Sequence, residues 1–60
     1  MIAEYVQGSR KARILKKETV SDAIEYYVVD CFDGNIVLSR DSFVSEEYAI
    51  HFAQDWISNG

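Results

Sequence analysis

Cys31 and His51 are the single thiol and the single imidazole of the chain, and a thiolate beside an imidazole is the simplest route to nucleophilic catalysis. The patterns around them decide whether they meet. Cys31 lies in the extended run Tyr26-Tyr27-Val28-Val29-Asp30-Cys31-Phe32, on the same parity as Val29, whereas His51 falls opposite the apolar stripe of a helix. The two point away from each other and read as a small buried hydrophobe and a solvated histidine. Asp30, Asp33 and Asn35 form an oxygen-rich cluster, but a calcium loop needs oxygen ligands at its first, third and fifth positions, and Phe32 occupies the third. Glu46 and Glu47 are adjacent carboxylates whose place is the first turn of a helix, where they meet the positive end of its dipole. These residue types assign no catalytic, metal-binding or cofactor-binding role, and the expectation is a protein that is not an enzyme.

The remaining chemistry is charge. Arg10, Lys11, Arg13, Lys16 and Lys17 place five cations in eight residues with no acid among them, and the rest of the chain holds one basic residue against ten acidic ones. The net charge is −4, so an acidic whole carries one basic strip. Long-range steering follows the summed field, which works against non-specific DNA binding but leaves the strip free for local contacts. Sheet-based readers of nucleic acid combine strand cations with exposed aromatics on which bases stack, and Arg13, Lys17, Tyr26 and Phe32 fit one face of such a sheet. Asp30 and Asp41 are expected on that same face, where they repel phosphates. The simpler account of the strip is a charged edge strand that discourages pairing with other chains.

The elements that position these residues centre on Ala23 to Leu38, a β-branched and aromatic run, a turn and a second apolar run. Asp33-Gly34 predicts a two-residue type I′ turn, because both residues tolerate positive φ. On that reading Val29, Cys31, Ile36 and Leu38 share one face, with Tyr27 and Arg40 further out. Tyr26, Val28, Phe32 and Val37 share the other, interrupted by Asp30 and Ser39; sliding the turn to Gly34-Asn35 preserves both sets. Ile2 to Val6 has strand propensity and is closed by Gln7-Gly8-Ser9, which suggests an edge strand. Arg13 to Thr19 contains good helix formers, yet Thr19-Val20 and a Ser21-Asp22 turn lead straight into the hairpin and favour a strand. A turn there opposes Ile14 to Val29, Leu15 to Val28, Lys17 to Tyr26 and Arg13 to Asp30. It also opposes Glu18 to Glu25.

Ser45 to Ser58 reads as a helix. Ser45 is a good N-cap, and Ala49, Phe52, Ala53, Trp56 and Ile57 follow the i, i+3, i+4, i+7, i+8 stripe, with Ile50 at its margin and Glu47, His51, Gln54, Asp55 and Ser58 opposite. Asn59-Gly60 is the expected stop.

Sixty residues with 48% hydrophobic and 27% charged side chains make one domain, residues 1–60, with room for a single core. A lone cysteine closes no disulfide and suits a reducing compartment, so the expected location is the cytoplasm; no run reads as a signal peptide or membrane span. A core this small needs unusually good packing or a partner, and self-association as a homodimer is the simplest partner.

The stretch from Tyr26 to Gly60 resembles the short hairpin-plus-helix proteins common in tailed-phage genomes. The resemblance rests on the YYVVD strand, the DG turn, the LSR strand and the SEEYA…FAQDW helix. It implies a ββα core and supplies no active site. The strand order is also similar to the DNA-binding sheet modules at the N-termini of phage integrases, which are basic overall where this chain is acidic.

The expected fold is therefore α+β, a three- to four-stranded antiparallel meander covered on one face by a C-terminal helix. One helix covers one face. Leu15, Tyr26, Val28, Phe32 and Val37 are left on the other, and an apolar set of that kind marks a protein-binding surface. The expected function is a small protein-binding, self-associating accessory or regulatory module of phage type. The alternative is a single-stranded nucleic-acid or DNA-binding regulator acting through Arg10, Lys11, Arg13, Lys16 and Lys17.

Overall fold

The computed structural model describes residues 2–59. Four strands, β1 (Ala3–Gln7), β2 (Arg10–Glu18), β3 (Glu25–Asp33) and β4 (Ile36–Phe43), form an antiparallel meander in the order β1-β2-β3-β4, followed by helix α1 (Glu46–Asn59). The N-terminal run is a paired edge strand, and β2 begins at Arg10, so the whole basic strip lies on β2, an interior strand paired on both sides rather than the expected charged edge. β2 and β3 pair in the expected register, Ile14 with Val29 and Arg13 with Asp30, and Glu18 with Glu25 as well. The connection, however, is the six-residue stretch 19–24 rather than a tight Ser21-Asp22 turn. Its neck is closed by Thr19 N–H donating to the Ile24 carbonyl (2.9 Å) and Ile24 N–H donating to Thr19 Oγ1 (3.0 Å).

Both tight hairpins place glycine first in a two-residue loop. Gly8 has φ +63° in Gly8-Ser9 and Gly34 has φ +62° in Gly34-Asn35. The β3–β4 turn is thus Gly34-Asn35, with Asp33 paired to Ile36. Its positive φ falls only on the glycine, the type II′ pattern rather than the I′ expected at Asp33-Gly34. The two tips are tied together: Gly34 N–H donates to the Ser9 carbonyl at 2.7 Å, and the Ser9 hydroxyl donates to Asp33 Oδ1 at 2.8 Å.

The larger departure is in β4. Phe32 pairs with Val37, but Cys31 pairs with Ser39, so Leu38 is an extra residue at a β-bulge. One extra residue reverses the parity of everything beyond it. Ser39, Asp41 and Phe43 join Cys31, Val29 and Tyr27 on the helix side, and Arg40 and Ser42 join Asp30 and Val28 on the outer face. The expected placements of Ser39, Arg40 and Asp41 are therefore inverted. Ile36 and Leu38, expected in the core, are 67% and 55% exposed, because α1 packs over β2 and β3, reaches β1, and touches β4 least.

Helix α1 follows its sequence pattern. The Ser45 hydroxyl accepts the Tyr48 N–H at 3.4 Å, the Ser45 carbonyl takes the first intrahelical bond from Ala49, and Glu46 and Glu47 occupy the first turn. Gly60 of the expected stop lies outside the described residues. Ala49 and Ala53 are fully buried against Ala12, Ile14, Val29 and Cys31, with Tyr5, Tyr27, Phe43, Phe52, Trp56 and Ile57 closing the rim. Three alanines at the centre let helix and sheet approach closely, and the aromatics fill the flanks; the Phe43 and Phe52 rings sit 5.2 Å apart.

Candidate binding surface

The outer face is built in rows that run across the strands. In one row Glu4, Arg13, Asp30 and Arg40 come from β1, β2, β3 and β4 in turn and alternate in sign. Arg40 Nε lies 2.6 Å from Asp30 Oδ1 and Nη2 lies 3.4 Å from Oδ2, while Arg13 Nε lies 3.3 Å from Glu4 Oε2. Asp30 is only 4% exposed, so a carboxylate is held inside the outer surface by neighbouring side chains and the Arg40 fork. That contact raises the Arg40 pKa still further above its ordinary value, first through the hydrogen bond and then through the charge of Asp30. Without the bulge Arg40 would face the helix.

In the next row towards the tips, Val6, Lys11, Phe32 and Val37 align. Lys11 Nζ lies 5.2 Å and Arg13 Cζ 5.3 Å from the Phe32 ring centroid, so both cations crowd one aromatic. On the other side of the charged row, Leu15, Val28 and Ser42, then Lys17 and Tyr26, border a hollow of about 290 Å3.

All five residues expected to form the apolar surface point outward, but they are not equally open. Val28 is 7% exposed, Leu15, Tyr26 and Phe32 are partly covered by neighbours within the same chain, and Val37 is 49% exposed. Within the strands the open apolar residues lie at the tip end instead: Val6 at 62%, Ile36, Val37 and Leu38. Sequence reasoning missed Val6, Ile36, Leu38 and the outward turn of Arg40. A signal was present: counting by twos back from Phe43, which must pack inward, puts Val37 inward, whereas counting from the turn puts Leu38 inward. Only an extra residue reconciles the two counts.

The basic strip is divided between the faces. Lys11, Arg13 and Lys17 point outward. Arg10 turns to the helix side, where its guanidinium stacks 3.8 Å from the Trp56 ring centroid, and Lys16 forms an ion pair with Glu25 that raises the lysine pKa. With Arg40, the outer face therefore holds four cations against the carboxylates of Glu4 and Asp30. The helix side holds Arg10 and Lys16 against Glu18, Glu25, Asp33 and Asp41 on the strands and Glu46, Glu47 and Asp55 on α1. The charge is segregated by face.

Cys31 is fully buried, and that burial pushes its thiol pKa up, with the Ser39 hydroxyl pulling the other way. His51 is exposed on the outward side of α1, 4.0 Å from Glu47. Among the described residues no group of three His, Cys, Asp or Glu side chains is placed to hold a metal ion, and no helix is long and apolar enough to cross a membrane. No family model, no curated protein and no solved structure matches the chain.

Proposed function

We propose that the chain is a small protein-binding module, without a catalytic role, that acts through protein–protein contact and self-association in the cytoplasm. The observation that carries this reading is the open apolar end of the sheet, where Val6 and Val37 flank Lys11 and Phe32 and the run Ile36-Val37-Leu38 is uncovered. Neighbouring strands are about 4.8 Å apart, so the row from Val6 to Val37 spans roughly 14 Å, a compact patch with a charged centre. Burying the half-exposed Ile36, Val37 and Leu38 contributes about 3 kcal/mol in all, less than the roughly 4–15 kcal/mol that association costs. The flanking charges are needed as well, and the contact is weak and concentration-dependent.

The test is capture from an extract of the source cells on immobilised protein, with the Val37→Asp/Leu38→Asp variant and the exposed-loop control Val20→Asp. One dominant partner retained by the wild type and the control but lost from the double variant is expected. Equal capture by all three, or none, overturns the reading.

A second reading, single-stranded nucleic-acid binding, gains from one observation: the bulge brings Arg40 onto the outer face and takes Asp41 off it. Its cations are then Lys11, Arg13, Lys17 and Arg40, two of them already paired. Four phosphate contacts on a single strand give a log–log salt slope of about −3. A salt titration with labelled oligonucleotides decides it, and no binding at low salt rejects it.

A further inference from the structure

We propose that the outer sheet face binds the helix side of a second copy of this chain, so that molecules associate head to tail. This rests on the protein-binding reading above and names the partner.

The sign of the charge on each face selects the partner. Placing two outer faces together sets the cationic surplus of Lys11 and Lys17, beyond the Arg13–Glu4 and Arg40–Asp30 pairs, against its own copy, and placing two helix backs together does the same with Glu47 and Asp55. Only the contact of an outer face with a helix back sets a cationic surplus against an anionic one. The helix side also offers apolar surface. Tyr48 is 72% and Val44 80% exposed, and a hollow of about 420 Å3 lies between Ser45, Glu47, Tyr48 and His51. That hollow is ample for a valine side chain such as Val37 of the outer face, and Glu47 on its rim offers a carboxylate of the sign that a lysine of the neighbouring copy requires. Because the two contacting surfaces differ, each added copy leaves one of each kind unfilled, and growth does not stop at the dimer unless the rotation closes a ring.

Sedimentation velocity of the full chain tests this directly. The weight-average mass of the wild type is expected to rise with concentration past the dimer and to fall as salt screens the contact. Neutralising either face alone, Lys11→Gln/Lys17→Gln or Glu47→Gln/Asp55→Asn, is expected to shift the association curve about tenfold to higher concentration, as two rim charge pairs are lost. Circular dichroism melts establish that both variants fold. Mixed in equal amounts, they retain one intact outer face and one intact helix side, so wild-type-strength association returns but stops at a one-to-one dimer. A wild type that plateaus at a salt-insensitive dimer, or a mixture no better than its components, overturns the proposal. A wild type that stays monomeric overturns it too. If that monomer still captures a partner through Val37 and Leu38, the protein-binding reading survives; if it captures nothing, both fall.

Discussion

Ile14 and Leu15 are chain neighbours of equal size on opposite faces of β2, and truncating each to alanine measures how unequally the two faces are sealed. Ile14 is fully buried between sheet and helix, whereas Leu15 is partly exposed beside Val28 and an open hollow. Ile14→Ala removes three buried carbons, about 2.4 kcal/mol of transfer free energy, and leaves a cavity that helix and sheet close only in part. The expected loss is about 3–4 kcal/mol. Leu15→Ala removes three carbons that are only partly covered and leaves a dent that solvent fills, so about 1–2 kcal/mol is expected. A chain of this length has a total stability of roughly 3–9 kcal/mol, so the first change takes most of it and the second a modest share. With about 4–8 °C per kcal/mol, the melting temperature falls by roughly 12–32 °C for Ile14→Ala and 4–16 °C for Leu15→Ala. Thermal and urea melts by circular dichroism read both. Equal losses at the two positions, or a larger one at Leu15, refute a core confined to the helix side.

Two further outcomes follow from the backbone and from the thiol. Gly34 has φ +62° and open space on the side where a methyl group would project, so Gly34→Ala costs about 1 kcal/mol from conformation alone, whereas Ala23 already sits at φ +53° and Ala23→Gly gains a few tenths to about 1 kcal/mol; urea midpoints moving in the same direction contradict this. Cys31 has a raised pKa through burial, so both states keep the proton below the ordinary thiol range and no pH dependence arises there; above it the unfolded chain loses the proton first, and stability falls as pH rises until the folded thiol ionises too. Denaturant melts across the alkaline range are expected to show that slope in the wild type and a shallower one in Cys31→Ala, where the raised pKa of Lys16 still contributes.

Much of this architecture was readable from the chain alone. The helix announced itself through Ser45, Glu46 and Glu47 and the stripe from Ala49 to Ile57, because a 3.6-residue period and a cap are local properties. The β2–β3 register was also within reach, since pairing symmetric about Ser21-Asp22 matches apolar residues and sets Arg13 against Asp30, whatever the loop between them does. What local pattern could not supply was the bulge at Leu38. A bulge relieves a conflict between a turn at Gly34-Asn35 and a phenylalanine that must pack inward at Phe43, and neither end alone reveals it.

Composition determined a small acidic domain with one basic strip. The folded chain decided which of those charges share a surface: strand alternation sent Arg10 and Lys16 to the helix side, and one extra residue carried Arg40 outward and Asp41 inward. The physical reason is that side-chain direction in a strand depends on parity counted from a paired neighbour. Which face a charge occupies therefore belongs to the sheet as a whole rather than to the residues that carry it.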